Sequence, residues 1–385
     1  MQALIMIGFI FICMSALVLV FSTPLFSFLD KAETGRNHHI DGLRFFLAIF
    51  VAFHHMIYCY RWYHGLDWTP DNILYPFNAQ LGPFAVTLFF MLSSYLITRR
   101  NYSNTAEWIQ FYIKRFFRIA PMAWFSALIC IVTALVYGNG FHDIDAYAAS
   151  EWMNFGISLE RHDINSFYKM WVVNAGVMWT LSWEWMLYFS LPIIMILREK
   201  LPPFTVSALM IFSCAYGYAM YNDSNILLLS CFAYGILARD LQTQFKSSNA
   251  FKCIVSISML VFIFGFGFGF GFPETAYTPY KIFFSFVLFL QICQGYDFGG
   301  LLRLPGVVRL GEISYSFYLL HGTFLFYVNR AVFNTHISPL LYGAILVVTF
   351  LCTAIASSLT FIFIEKPGMR LGKLIGKRFV IQPSA

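Results

Sequence analysis

The chain has 385 residues, of which 59% are hydrophobic, 20% aromatic and only 11% charged. Soluble domains carry about 25% charged residues, so this composition excludes an ordinary globular protein and implies an all-α, polytopic transmembrane helix bundle. The net charge of +6 comes from basic residues grouped in short loops, the pattern of a membrane protein and not of a nucleic-acid binder. The eight cysteines contain no CxxC pair and lie mostly in apolar runs. They are expected to be small buried hydrophobes, and no metal site is expected.

The first apolar run, residues 3–29, has no basic residue before it and no clear cleavage site. It is too long for a signal-peptide core, so residues 1–30 are expected to be a retained helix. Further spans are expected over 41–60, 79–98, 119–137, 176–197, 203–221, 225–241, 252–272, 279–295, 313–332 and 339–364, which makes about eleven helices of membrane length.

The second span opens with Asp41-Gly-Leu-Arg44 and carries His54 and His55 deep inside it. Ionisable groups at membrane depth are expensive and usually functional. Eleven helical steps return to within about 20° of the starting face, so Arg44 and His55 share a stripe with Ala48 and Val51, about 16 Å apart along the axis. His54 points about 80° away from Arg44. A cation near the membrane edge and a titratable base deeper on the same face suit the lining of a reaction path. A core histidine bonded to a neighbouring helix is the plainer alternative.

The third span ends in Ser93-Ser94, followed by Arg99, Arg100, Lys114, Arg115, Arg118 and Pro121. Hydroxyls beside an arginine-rich rim suit an anionic phosphate ligand, although a positive-inside anchor explains the rim charges equally well. Residues 103–118 are expected to form an amphipathic surface helix capped by Ser103 or Thr105. Residues 138–175 form the longest polar loop and include Glu151, Glu160, Arg161 and His162. Such a loop is an expected docking place for an external substrate.

Thr180, Glu184 and Tyr188 share one face at i, i+4 and i+8. Glu184 lies about 12 Å below the outer edge and His55 about 21 Å above the inner one. The two are thus expected at matched depth, able to act as base and orienter. The run Gly265–Phe272 alternates Gly and Phe. A lone strand cannot span a bilayer, so a helix with small packing faces is expected. Ser314, Tyr318 and His321 make another polar stripe, with His321 about 12 Å above the inner edge. Pro367, in Glu365-Lys-Pro367, is expected to stop the last helix, and no catalytic role is assigned to Glu365.

Basic residues collect in alternate loops, from Lys31 and Arg36 to the tail with Lys373, Lys377 and Arg378. Those loops are expected to be cytoplasmic, which puts the N-terminus outside and the C-terminus inside.

Together these segments resemble the membrane-bound acyltransferase-3 family, whose members acylate surface and secreted glycans. The resemblance rests on Asp41-Gly-Leu-Arg44 with His55, Leu88-Phe-Phe-Met-Leu-Ser93, Lys114-Arg115-Phe-Phe-Arg118-Ile-Ala-Pro121, Trp179-Thr-Leu-Ser-Trp-Glu184, Gly311-Glu-Ile-Ser314-Tyr-Ser-Phe-Tyr318-Leu-Leu-His321 and Glu365-Lys-Pro367. These motifs occur in the family's order over residues 41–372, the expected membrane domain, with 373–385 as a basic cytoplasmic tail. Ser94 stands where the family usually has Gly, the first helix is additional to the usual ten, and no extracellular hydrolase-like domain is expected.

The resemblance implies an O-acyltransferase of the bacterial inner membrane. It would move an acyl group, usually acetyl, from cytoplasmic acyl-CoA to a hydroxyl of a surface polysaccharide, such as a lipopolysaccharide O-antigen, or of a lipid-linked glycan. It nominates His55 and Glu184 as catalytic, with His55 acting as general base or transient acyl carrier. Arg44, Ser93, Arg115 and Arg118 would bind the acetyl-CoA donor, and Asp41, Tyr188, Ser314, Tyr318 and His321 would complete a polar pocket. The oligomeric state stays open. A proton-coupled transporter or lipid-linked-sugar flippase is the rival, because buried His and Glu serve such machines too. The absence of a convincing inverted repeat in the sequence disfavours it.

Overall fold

A computed structural model describes residues 2–30, 38–69, 76–99, 102, 104–138, 145–158, 160–242, 244, 248–265, 277–333, 335 and 337–380. The described residues are all-helical, as the composition requires: the only satisfied backbone available in a bilayer without a closed barrel is the helix. The helices are α1 (Gln2–Ser22), α2 (His38–Tyr63), α3 (Pro76–Ile97), α4 (Thr105–Tyr137), α5 (Ala146–Met153), α6 (Trp179–Lys200), α7 (Thr205–Tyr221), α8 (Ser224–Leu241), α9 (Asn249–Gly265), α10 (Pro279–Cys293), α11 (Pro305–Glu312), α12 (Ser314–Val332), α13 (Pro339–Thr360) and α14 (Lys366–Val380). Among the described residues, seven helical stretches are long and apolar enough to cross a membrane, and α7, α9 and α10 are shorter apolar helices. Beyond its first residue, the Gly/Phe run 265–272 lies outside the described residues.

The chain divides into two compact units. One holds Met1–Tyr58, Thr69–Asn101 and Phe189–Glu312; the other holds Cys59–Trp68, Tyr102–Tyr188 and Ile313–Ala385.

In the first unit, close backbone approaches set the packing. A Cβ on Gly42 would lie 2.0 Å from the Leu302 carbonyl oxygen, and one on Gly311 would lie 1.9 Å from that of Asp41. The start of α2 thus sits against the segment around α11, with no room for a side chain at either glycine. The same logic governs Ser94. Its hydroxyl donates to the Phe232 carbonyl at 2.7 Å, and the glycine that permits the approach of α3 and α8 is Gly235, whose added Cβ would fall 2.1 Å from the Met91 oxygen. The small residue at this crossing is on α8.

In the second unit two expectations change. The surface helix 103–118 and the span 119–137 are one helix, α4, which runs through Pro121. Its cap is Asn104, whose side chain accepts from the Glu107 N–H at 3.0 Å, and not Thr105, while Ser103 lies outside the described residues. The last helix does not stop at Pro367. A π turn, Phe361–Glu365, joins α13 to α14. The π turn shifts the hydrogen-bond register just before the proline, which then occupies the first turn of α14, where a missing N–H costs little. Gly368, Gly372 and Gly376 recur every fourth residue and face Phe117, Pro121 and Gln110 of α4, a small-residue seam that lets the two rods lie close. Ser314, Tyr318 and His321 lie together on α12, which begins just after Ile313, while Gly311 and Glu312 end α11.

Candidate functional site

In the first unit, α2 is unbroken from His38 to Tyr63, so Asp41, Arg44, His54 and His55 hold the helical spacing that their sequence implies. Ala48 and Val51, between the two ionisable groups on the stripe, are buried at 1% and 2% exposure. Arg44 and His55 themselves are half-buried. Asp41 is buried, and its carboxylate accepts from Arg44 Nη1 at 3.4 Å.

The two histidines differ. His54 is buried, with Nδ1 3.2 Å from the Asn78 carbonyl oxygen, and Asn78 in turn donates to the Phe53 carbonyl at 2.6 Å. Its ring fills the space that a side chain on Gly82 would need. His54 is therefore a packed, bonded core residue. His55 is half-buried, with its ring edge-on to Tyr58 at 6.0 Å. Ser93 is half-buried on α3, beside the fully buried Ser94.

In the second unit, α4, α6 and α12, with the π turn, build a polar cluster. Thr180 and Tyr318 share a hydrogen bond of 2.9 Å, and each hydroxyl also reaches the Val177 carbonyl, at 3.1 Å. Glu184 is half-buried, one turn on from Thr180. Tyr188 is buried; Tyr112 donates to its carbonyl at 3.0 Å, and Arg115 lies over its ring at 5.5 Å and over Phe111 at 5.4 Å. Arg115 has no carboxylate partner among the described residues.

Arg118 is placed differently. It forms an ion pair with Glu365, which is completely buried, and its guanidinium also lies 5.6 Å from the Tyr315 ring centroid. Glu365 accepts a second bond from Ser316 at 2.8 Å. Ser316 and Glu365 are the residues that the sequence reasoning missed. Ser314 is buried at the start of α12 without the Glu365 contact that Ser316 makes. His321 is fully buried, with Nδ1 3.4 Å from the Phe317 carbonyl. The signal for Glu365 was present: a carboxylate inside a long apolar run demands a partner, and the arginines of α4 offer one. His55 and Glu184 belong to different units.

The loop after α4 is a folded platform. Asp163 accepts from the backbone N–H groups of Lys169 and Met170, both at 2.8 Å. Ser182 donates to the carbonyls of Gly156 and Ser158 at 2.7 and 2.8 Å. Glu151 holds His162 twice, through its backbone N–H at 2.9 Å and its Nδ1 at 2.8 Å. That hydrogen bond and the adjacent negative charge raise the His162 pKa, while burial of Glu151 opposes the lowering that the His162 hydrogen bonds impose on its carboxyl. Among the described residues, no group of three or more His, Cys, Asp or Glu side chains is placed to hold a metal ion.

Residues 37–358 match the family model described as an acyltransferase domain. The chain belongs to the acyltransferase-3 family. That stretch contains each nominated site residue from Asp41 to His321, and ends just before Glu365. Nodulation protein 10 of Rhizobium leguminosarum bv. viciae is 27% identical over 177 residues, 43% of this chain and 46% of that protein. The chain thus spans less than half the length of the curated relative it matches. No solved structure matches it.

Proposed function

We propose that this acyltransferase-3 family member is an integral-membrane O-acyltransferase that moves an acetyl group from acetyl-CoA on the cytoplasmic side to a glycan hydroxyl on the outer side of a bacterial inner membrane. The observation that carries this reading is the contrast on α2. His54 is consumed by packing and a backbone hydrogen bond, while His55 stays half-buried on the stripe of Arg44.

In the reaction, His55 takes the proton of the acceptor hydroxyl as its oxygen attacks the thioester carbonyl. The tetrahedral adduct collapses, the carbon–sulfur bond breaks, and the imidazolium returns the proton to the departing thiolate. General base catalysis of this kind contributes about 10²–10⁴-fold. Arg115 is assigned to the coenzyme's phosphates: its cation lacks a carboxylate partner among the described residues, and a guanidinium on aromatic faces keeps its fork of donors for an anion. In the first unit, Arg44 at the start of α2 and Ser93 on α3 are assigned to the donor; in the second unit, Glu184, beside the Tyr318–Thr180 pair, is assigned to catalysis.

The test adds acetyl-CoA and a bacterial surface glycan to the purified protein and follows free thiol. Thiol release that requires both glycan and His55 supports the reading. Solute movement without thioester loss would replace it with a transporter.

A further inference from the structure

The second unit contains a cavity of about 700 Å³, within the range of about 300–1,000 Å³ typical of small-ligand sites. Trp62, Tyr63, Tyr168, Lys169, Arg330 and Phe333 line it, among others. It lies where two helices end: Trp62 and Tyr63 close α2, and Arg330 is in the last turn of α12. Aromatic pairs build its walls. The Trp62 and Tyr168 rings stack with centroids 6.3 Å apart and planes 29° from parallel, and the Tyr63 ring packs on Phe333 at 6.0 Å.

Two cations stand on these walls. The half-buried Lys169 holds its ammonium 4.9 Å from the Trp62 ring centroid and 5.2 Å from that of Tyr168, against two rings that themselves line the cavity. Arg330 is exposed, with its guanidinium 3.9 Å from the Tyr137 ring centroid. Among the described residues neither cation forms an ion pair with a carboxylate. Asp67 lines the same space, so positive charge exceeds negative there by one. A ring face attracts a cation without consuming its hydrogen-bond donors, and both side chains keep donors for an anion. Trp and Tyr gather at the ends of membrane spans in general, but an aromatic belt needs no loop built to place a lysine. Here Lys169 is in the left-handed region at φ 55°, as are Asn165 at 58° and Ser166 at 55°. Asp163 holds it there by accepting from the Lys169 and Met170 N–H groups. Backbone of this kind persists only where its surroundings over-determine it, and it clusters at ligand sites.

We propose that this cavity holds a sugar phosphate, its ring laid against Trp62 or Tyr168 and its phosphate oxygens taken by Lys169, with Arg330 as the second cation. Aromatic faces offer the broad apolar area that suits the C–H faces of a sugar, and ammonium and guanidinium groups both serve phosphate. The position selects the source. The end of a membrane span lies at the level of lipid headgroups, where the phosphate that joins a glycan to its lipid carrier would sit. This rests on the acyl-transfer reading and narrows its acceptor to a glycan still linked to lipid through phosphate.

The experiment titrates the purified full chain in a nonionic detergent, by tryptophan fluorescence, with three probes that share a decyl chain. The first joins the chain to N-acetylglucosamine through a phosphodiester. The second is the neutral decyl N-acetylglucosaminide, and the third is decyl phosphate, which lacks the sugar. The phosphodiester probe should bind at least about 10-fold tighter than either of the others, as charge-assisted hydrogen bonds require. Its advantage over the neutral glycoside should shrink in Lys169→Gln and vanish when Arg330→Gln is added, while the neutral glycoside binds as before. Trp62→Leu should weaken both glycosides and leave decyl phosphate unchanged. If the unmutated protein binds the phosphodiester no better than the neutral glycoside, or no better than decyl phosphate, the proposal is overturned whether or not the variants fold. So it is if the advantage keeps its full size in Lys169→Gln. Acyl transfer from acetyl-CoA is measured in parallel. Phosphate-dependent sugar binding without transfer to any glycan would sink the acyl-transfer reading alone. Transfer without that preference would sink the cavity proposal alone.

Discussion

Arg118 and Glu365 give a quantitative expectation that separates a structural arginine from a ligand-binding one. The Glu365 side chain is 0% exposed, that of Arg118 27%. Removing one partner of a buried pair costs about 3–5 kcal/mol, because the other charge is stranded. The partial exposure of Arg118 lets water reach the pair, so Arg118→Ala should cost about 3 kcal/mol, the lower end of that range. Ser316→Ala removes a single hydrogen bond to a charged acceptor, about 1.5–3 kcal/mol. The double variant Arg118→Met with Glu365→Leu strands no charge and should fall within about 1 kcal/mol of the parent. Equilibrium unfolding in mixed micelles, arranged as a double-mutant cycle, reads all of these. If the losses of Arg118→Met and Glu365→Leu, each measured singly, simply add in the double variant, or if Arg118→Ala costs under about 0.5 kcal/mol, the range of an exposed pair, the pair is not the buried structural link described here.

Four further outcomes follow. Arg115→Ala should weaken acetyl-CoA binding with little loss of stability, and added salt should weaken what binding remains; unchanged coenzyme affinity by calorimetry would remove Arg115 from the donor site. Gly235→Ala should destabilise by about 1–3 kcal/mol or more through overpacking, since its Cβ would meet the Met91 carbonyl oxygen at 2.1 Å, whereas Gly8→Ala, with nothing within 4 Å, should be neutral or stabilising; equal thermal unfolding of the two variants would contradict the packing. The Glu151–His162 clamp should hold residues 146–163 most tightly between pH 4.5 and 6.5, the ordinary values of the two groups. His162, raised chiefly by its hydrogen bond and charge contact with Glu151, with Glu160 and Asp145 adding in the same sense, contributes fully below 6.5 and is lost as pH rises through its raised pKa; Glu151, with its lowered pKa, contributes fully above 4.5 and is lost as pH falls through it. Hydrogen exchange of that loop should follow this profile and lose its alkaline limb in His162→Gln. Finally, His54→Ala should lower stability while the folded protein keeps acyl transfer, and the reverse pattern in a glycan-acetylation assay would show that the two histidines have been assigned the wrong way round.

Much of the architecture was legible because the bilayer leaves a hydrophobic chain so few options. The spans of α2, α3, α6 and α8 were placed within a few residues by apolar runs alone, and the Arg44–His55 stripe needed only the helical repeat. The failures have one origin: local rules were applied where tertiary packing decides. Pro367 looked like a stop, yet the π turn Phe361–Glu365 carries the chain from α13 into α14, whose glycines at 368, 372 and 376 pack on α4. Ser314, Tyr318 and His321 do share α12, but their spacing gives no sign that Ser316 bonds Glu365. Glu365 itself was passed over because its partner lies 247 positions away, a distance no spacing argument spans. Ser94 looked like a loss of close packing until Gly235, on a different helix, supplied it.

The most direct measurement uses the purified protein in sealed vesicles, with labelled acetyl-CoA trapped inside and the acceptor glycan supplied only outside. The coenzyme's phosphates are too costly to desolvate for passage, while its neutral arm is not; the account therefore predicts a reaction relayed through the protein. Label should appear on the external glycan with the unmutated protein and disappear with His55→Ala, while reconstitution and folding stay intact. Label that appears only when donor and acceptor share a compartment, or that persists at full rate in His55→Ala, would contradict it.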